Sequence, residues 1–117
     1  YKSCLDRISN LEEYKVFVVS DDIDLAKKKF DYKGTLHFQE NSEIIDFQLL
    51  QHADIAIIPN SSFSWWAAYL NNKPNKVVFA PKYWLGFEVK KEFPVGIMVE
   101  AFTWVEVERV LDKKIRL

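Results

Sequence analysis

The sequence is poor in the residues that staple or wrap small folds. Cys4 is its only cysteine, so no internal disulfide can form and a cysteine-rich zinc site is excluded. Only three glycines occur, and none falls in a Gly-x-Gly-x-x-Gly or Gly-Lys-Ser/Thr string. A dinucleotide fingerprint or a Walker-type phosphate grip is therefore not written here. No run approaches the roughly 20 apolar residues that cross a bilayer, and Tyr1-Lys2-Ser3-Cys4 lacks the apolar stretch of a signal peptide. An excess of one charge is missing too: 16 basic against 17 acidic side chains leave −1, which argues against a nucleic-acid partner. The basic triplet Lys27-Lys28-Lys29 reads as the exposed face of a helix. Repeats, low-complexity tracts and linkers are also lacking, so residues 1–117 are expected to form one domain.

What the chain does have is apolar mass. At 49% hydrophobic and 15% aromatic, a domain of this size can bury about two thirds of the surface that its unfolded chain exposes. The absent initiating Met leads to the expectation of a piece of a longer protein, with the missing part upstream.

Hydrophobic spacing orders the elements. Leu5, Ile8 and Leu11 suggest the tail of a helix within the first fourteen residues. Val16-Phe17-Val18-Val19 is a short β-branched run closed by Ser20-Asp21-Asp22, and reads as a strand buried on both faces. Asp22 to Phe30 follows as a helix with carboxylates in its first turn. After Gly34, Thr35–Phe38 is a brief strand. Asn41 or Ser42 then caps a helix with Ile44, Ile45, Leu49 and His52 at helical spacing. Asp54–Ile58 is a second buried strand, Ser61–Leu70 a helix broken by Asn71-Asn72-Lys73-Pro74, and Lys76–Ala80 a further strand. An irregular stretch runs to Phe102. Thr103 and Glu106 then form a capping box for a last helix with Trp104, Val107, Leu111 and Ile115 on one face.

Uniformly apolar strands alternating with helices imply an α/β, Rossmann-like parallel sheet with helices on both faces. Such folds bind ligands beyond the carboxyl ends of the strands, here at Ser20–Asp22, Phe38–Glu40, Pro59–Ser62 and Pro81-Lys82. A strand that runs through Asn60-Ser61-Ser62 into a helix start aims N–H groups and hydroxyls at one spot, a pattern that suits phosphate or plain N-capping by either serine. Asp21 and Asp22 can bind a metal, orient an arginine or cap a helix. A receiver-domain reading fails, because Pro59-Asn60 stands where the phosphoacceptor Asp should be. Asp46 lies beside Ile45, Leu49 and Leu50; there it either faces solvent or, if buried, needs a donor such as a guanine edge or a ribose hydroxyl. His37 and His52 form no His-x-x-x-His cluster, and no metal site is expected. Of the neighbours Trp65 and Trp66, one must point away from any given partner.

Three strings carry a resemblance: Val16-Phe17-Val18-Val19-Ser20-Asp21-Asp22, then Asn60-Ser61-Ser62-Phe63-Ser64-Trp65-Trp66-Ala67-Ala68-Tyr69-Leu70, then Ala80-Pro81-Lys82-Tyr83-Trp84. Together they are similar to the C-terminal half of the family 11 glycosyltransferases, the α-1,2-fucosyltransferases. The resemblance implies a GT-B-like enzyme whose second Rossmann-like domain holds GDP-fucose. Such an enzyme transfers fucose with inversion to a galactose hydroxyl of a glycan acceptor, with no metal cofactor. By the same resemblance Ser62 sits against the diphosphate, assisted by Ser61 and the helix start, and Asp46 is aimed at the nucleoside. Asn60 belongs to the same donor-binding string, Asp21 and Asp22 support the donor pocket, and Phe63, Trp65 and Trp66 form the wall behind the phosphates. The family's first motif, His-x-Arg followed shortly by Asp, is absent from these 117 residues. No catalytic residue is therefore assigned, and the chain alone is expected to be inactive without its N-terminal half.

A glycan on the sequon Asn60-Ser61-Ser62 would block the phosphate site. With the free cysteine, this points to a bacterial-type cytoplasm or to the periphery of its membrane. Two rival readings remain: another nucleotide-sugar glycosyltransferase, which would prefer uridine nucleotides, and a non-enzymatic α/β module that uses Trp65 or Trp66 for protein contact.

Overall fold

The computed structural model describes residues 1–29, 34–39 and 42–107. Along these the chain forms α1 (Lys2–Leu5), β1 (Val16–Val19), α2 (Ile23–Lys29), β2 (Leu36–Gln39), α3 (Glu43–Gln51), β3 (Ile55–Ile57), α4 (Ser62–Leu70), β4 (Val77–Pro81) and β5 (Thr103–Val105). Every strand pairing is parallel, as the α/β reading requires. The expected helix end at Phe30, the alternative cap Asn41, and the positions Leu111 and Ile115 lie outside the described residues.

The core explains the unbroken apolar strands. Val78 and Ala80 of β4 pack with Ala56, Ile58, Trp65, Ala68, Trp84 and Phe102 on one face. Phe79 between them points the other way, against Cys4 and Val105, with Ile8, Ile55 and Ile57 beside it. Successive side chains leave a strand on opposite faces, so a strand covered on both sides has no polar position to offer. The ladder between β3 and β4 runs past the strand ends, with Val77 N–H donating to Asp54 O at 3.0 Å and Ile58 N–H to Phe79 O at 2.9 Å.

Helix α4 approaches the sheet through Ala67 and Ala68, both fully buried. Lys76 Nζ donates to the carbonyls of Ala68 (3.0 Å) and Asn71, at the end of the helix where carbonyls lack helical donors. Asn71, 3% exposed, donates from Nδ2 to Ala53 O at 2.7 Å and accepts from Lys73 N–H at 3.0 Å. The break in the sequence at 71–74 is thus a hydrogen-bonded joint. The irregular stretch up to Phe102 is tied down by two indoles: Trp65 Nε1 donates to Ile97 O at 3.0 Å and Trp104 Nε1 to Val99 O at 2.9 Å.

Four expectations need correction. The segment from Thr103 begins with a strand: Thr103-Trp104-Val105 is β-branched and aromatic and pairs with Phe79-Ala80-Pro81. Glu106 does not close a capping box; its carboxylate accepts from Lys82 Nζ at 3.0 Å. The N-terminal helix spans only Lys2–Leu5, followed by turns and a 3-10 turn at Leu11–Glu13, because Ser9 and Asn10 favour turns over helix. On α3 no residue is buried, and Ile44 is 72% exposed. Finally, β1 is not buried on both faces, since Phe17 is 43% exposed. The strands form two sheets, β1-β2 and β3-β4-β5, with no pairing between β1 and β3.

After β4 the backbone turns through two successive left-handed residues, Tyr83 (φ 65°) and Trp84 (φ 56°), with the Trp84 side chain sunk in the core. The following turn brings Gly86 against the carbonyl of Lys91, where a β-carbon would collide with backbone. Gly86→Ala is expected to lower stability by about 1–3 kcal/mol, read as a lower urea midpoint with unchanged slope.

Candidate functional site

A cleft of about 1790 Å³ separates the two sheets, open between β1 and β3. Asp21 and Asp22 enter it from the carboxyl end of β1, Pro59, Ser61, Phe63 and Ser64 from beyond β3, and Asp46 from α3. Asn60 and Ser62 are exposed and stand outside its lining.

The local geometry shows what each side chain is already doing. Asp22 caps α2, its Oδ1 accepting from Leu25 N–H at 3.0 Å, while Ser20 Oγ accepts from Asp22 N–H at 3.0 Å. Asp21 beside it is exposed and makes no hydrogen bond among the described residues. Ser61 is the N-cap of α4: its Oγ accepts from Ser64 N–H at 3.4 Å and its carbonyl from Trp65 N–H at 2.9 Å. The capping role is therefore real for Ser61, and Ser62 is left in the first turn with an exposed hydroxyl. Asp46 is half-buried with Oδ1 fully shielded. Phe63 meets Phe47 of α3 edge-on at 5.3 Å, which fixes the start of α4 against α3.

The tryptophans do not line the cleft. Trp65 is buried and stacked on Tyr69 at 4.9 Å, whereas Trp66 is exposed beside Tyr69 and Leu70. Lys82, just after β4, was placed by the sequence at a strand-end ligand position without a partner. It is held by Glu106, whose hydrogen bond and charge raise the lysine above its ordinary pKa. The signal was there, in a lysine directly after a strand end, but its acceptor lies 24 residues on.

The electrostatics of the cleft are one-sided. Its lining carries Glu13, Asp21, Asp22, Asp24, Glu43, Asp46 and Asp54 against Lys15 and Lys29, and contains no arginine. An anionic ligand placed here needs a cation supplied from elsewhere. Among the described residues no group of three or more His, Cys, Asp or Glu is placed to hold a metal ion, and no helix is long and apolar enough to cross a membrane.

Comparison with known proteins bears directly on this site. The profile of glycosyl transferase family 11 matches residues 1–95, from α1 through β4 and the turn after it. The chain belongs to glycosyltransferase family 11. Curated relatives agree: it is 38% identical over 93 residues to an Escherichia coli protein named alpha-1,2-colitosyltransferase, covering 75% of this chain and 31% of that one. It is also 33% identical over 89 residues to the Escherichia coli O-antigen biosynthesis glycosyltransferase WbnK, covering 72% of this chain and 30% of the relative. The chain thus spans about a third of the length of these family 11 proteins. No solved structure matches it significantly.

The caps can be separated from ligand binding by stability alone. Ser61→Ala and Asp22→Ala should each cost about 1 kcal/mol, the usual value of an N-cap, as chemical denaturation would show.

Proposed function

We propose that this chain is the donor-binding part of an inverting α-1,2-fucosyltransferase, with GDP-fucose as donor and a galactose hydroxyl of a glycan as acceptor. What carries the reading is the convergence of Asp21, Asp22, Asp46, Ser61 and Phe63 on one cleft at the strand ends of a family 11 chain. The α-1,2 linkage in the name of the colitosyltransferase relative supports the same linkage here. That relative also makes colitose the competing sugar.

In this reading the diphosphate lies against the start of α4. Ser64 and Trp65 spend their N–H groups on Ser61, which leaves those of Ser62 and Phe63 for an anion, together with the Ser62 hydroxyl. Asp46 accepts from the nucleoside, and Asp21 and Asp22 support the pocket. Asn60 binds the donor as part of the same loop. In the transfer an acceptor hydroxyl displaces GDP from the anomeric carbon, and the charge on the leaving diphosphate needs an arginine that this cleft does not hold. The missing N-terminal half of the enzyme supplies that cation and most of the acceptor site, so these 117 residues alone do not transfer sugar. No metal cofactor is required, and the reaction takes place in the cytoplasm or at the membrane periphery, where nucleotide sugars are available.

The exposed group of Trp66, Tyr69 and Leu70 favours a second reading, a protein-contact module without nucleotide binding. Titration of the full-length protein with GDP, GDP-fucose, GDP-colitose and UDP decides between them. Guanine nucleotides alone should bind; equal binding of UDP would make it a different nucleotide-sugar transferase, and no binding would leave the contact module. In the same protein Ser62→Ala should cost about 1–2 kcal/mol of donor binding. Asp46→Ala should weaken GDP and leave inorganic phosphate binding unchanged, and equal weakening of both would remove its nucleoside role.

A further inference from the structure

The two sheets face each other with edges that no described strand covers. Since Ile58 N–H and Asp54 O both bond to β4, the alternating residues Ile55 and Ile57 direct their backbone N–H and C=O away from β4, into the cleft. On the far side β1 is paired only with β2, so its other edge is open to the same cleft. Unpaired backbone along an apolar channel is a template for another strand.

The walls say what kind of strand. Leu5 and Ile8 close one face of the cleft and Ile45 and Leu49 the other. A segment seated there is covered on both faces and must be apolar without alternation. The order of the strands says where it comes from. In space they run β2, β1, cleft, β3, β4, β5. The doubly wound order 3-2-1-4-5-6 has its first strand at that place. Residues before β1 hold α1 and the 3-10 turn, not a strand.

We propose that the cleft is the seat of one further parallel β-strand, an apolar segment that precedes Tyr1 in the full-length polypeptide. It bonds to β1 on one edge and to Ile55 and Ile57 on the other, and joins the two sheets into one of six strands. The inference rests on the part of the reading above that gives the enzyme an N-terminal portion, and relatives about three times as long leave ample chain for it. It does not depend on which nucleotide binds.

The test is amide hydrogen exchange on the full-length protein by NMR, with GDP titrated into the same sample. With the strand in place, Ile55 and Ile57 amides exchange as slowly as those of Ala56 and Ile58, which bond to β4, and Ile57 shows backbone NOEs to residues upstream of Tyr1. Exchange at Ile55 and Ile57 about 100-fold faster than at Ala56 and Ile58 overturns the proposal. So does protection whose NOEs come from a second copy of the chain. Protection without GDP binding keeps the strand and removes the donor reading; GDP binding with fast exchange does the reverse.

Discussion

A parallel strand inside a protein has to be bonded along both edges and covered on both faces, and among the described strands β4 alone meets all four demands. It lies between β3 and β5, with the Trp65 side of the core on one face and Cys4 and Ile8 on the other. The rest of the molecule is arranged around that strand. Helix α4 can press against it because Ala67 and Ala68 leave room, and the loop 92–102 is held over the same cluster by indole donors. At β1 and β3 the demand goes unmet on one edge each. That is the physical origin of the cleft, whereas Phe17 is exposed because one face of β1 is incompletely covered.

The same constraint decides which parts of the fold were legible in the sequence. Val16–Val19, Ile55–Ile58 and Val77–Ala80 could be read because short apolar runs rich in β-branched residues and closed by turn residues favour strands of a parallel sheet. Thr103-Trp104-Val105 could not. Its Thr-x-x-Glu string matched a helix start, yet the residues between are β-formers, and pairing with β4 outweighed a local motif. The helical spacing of Ile44, Ile45 and Leu49 gave α3 correctly, and the structure leaves that apolar face short of full burial. Ile45 and Leu49 face the cleft, and nothing local in a sequence records which neighbours a helix face will meet.

For the site, the sequence identified the strand-end loops and the structure sorted the residues within them. Asp22 and Ser61 hold helix starts, so part of what looked like ligand chemistry is capping. Asp21 and Asp46 reach the cleft, while Asn60 and Ser62 stand outside its lining. Trp65 is core and Trp66 is surface, as two adjacent helical residues must be. Which serine caps depends on where the helix begins to within one residue, and that is the least legible feature of any sequence.

Two features of the chain then meet at one place. Among the described residues the facing edges of β1 and β3 are unpaired along the cleft, and its carboxyl end is rich in carboxylates. A doubly wound sheet places ligand-binding loops at the carboxyl ends of its strands, so a strand that fills the gap also delivers its following loop beside Asp21, Asp22 and the start of α4. In the proposed assembly, sheet completion and charge completion are one event. If the proposed strand and donor are both in place, the carboxylates that would otherwise repel a diphosphate can instead pair with a basic side chain carried by the loop after that strand. Their acidity, which looks wrong for an anion site, fits the proposed completion by a cation from a neighbouring segment.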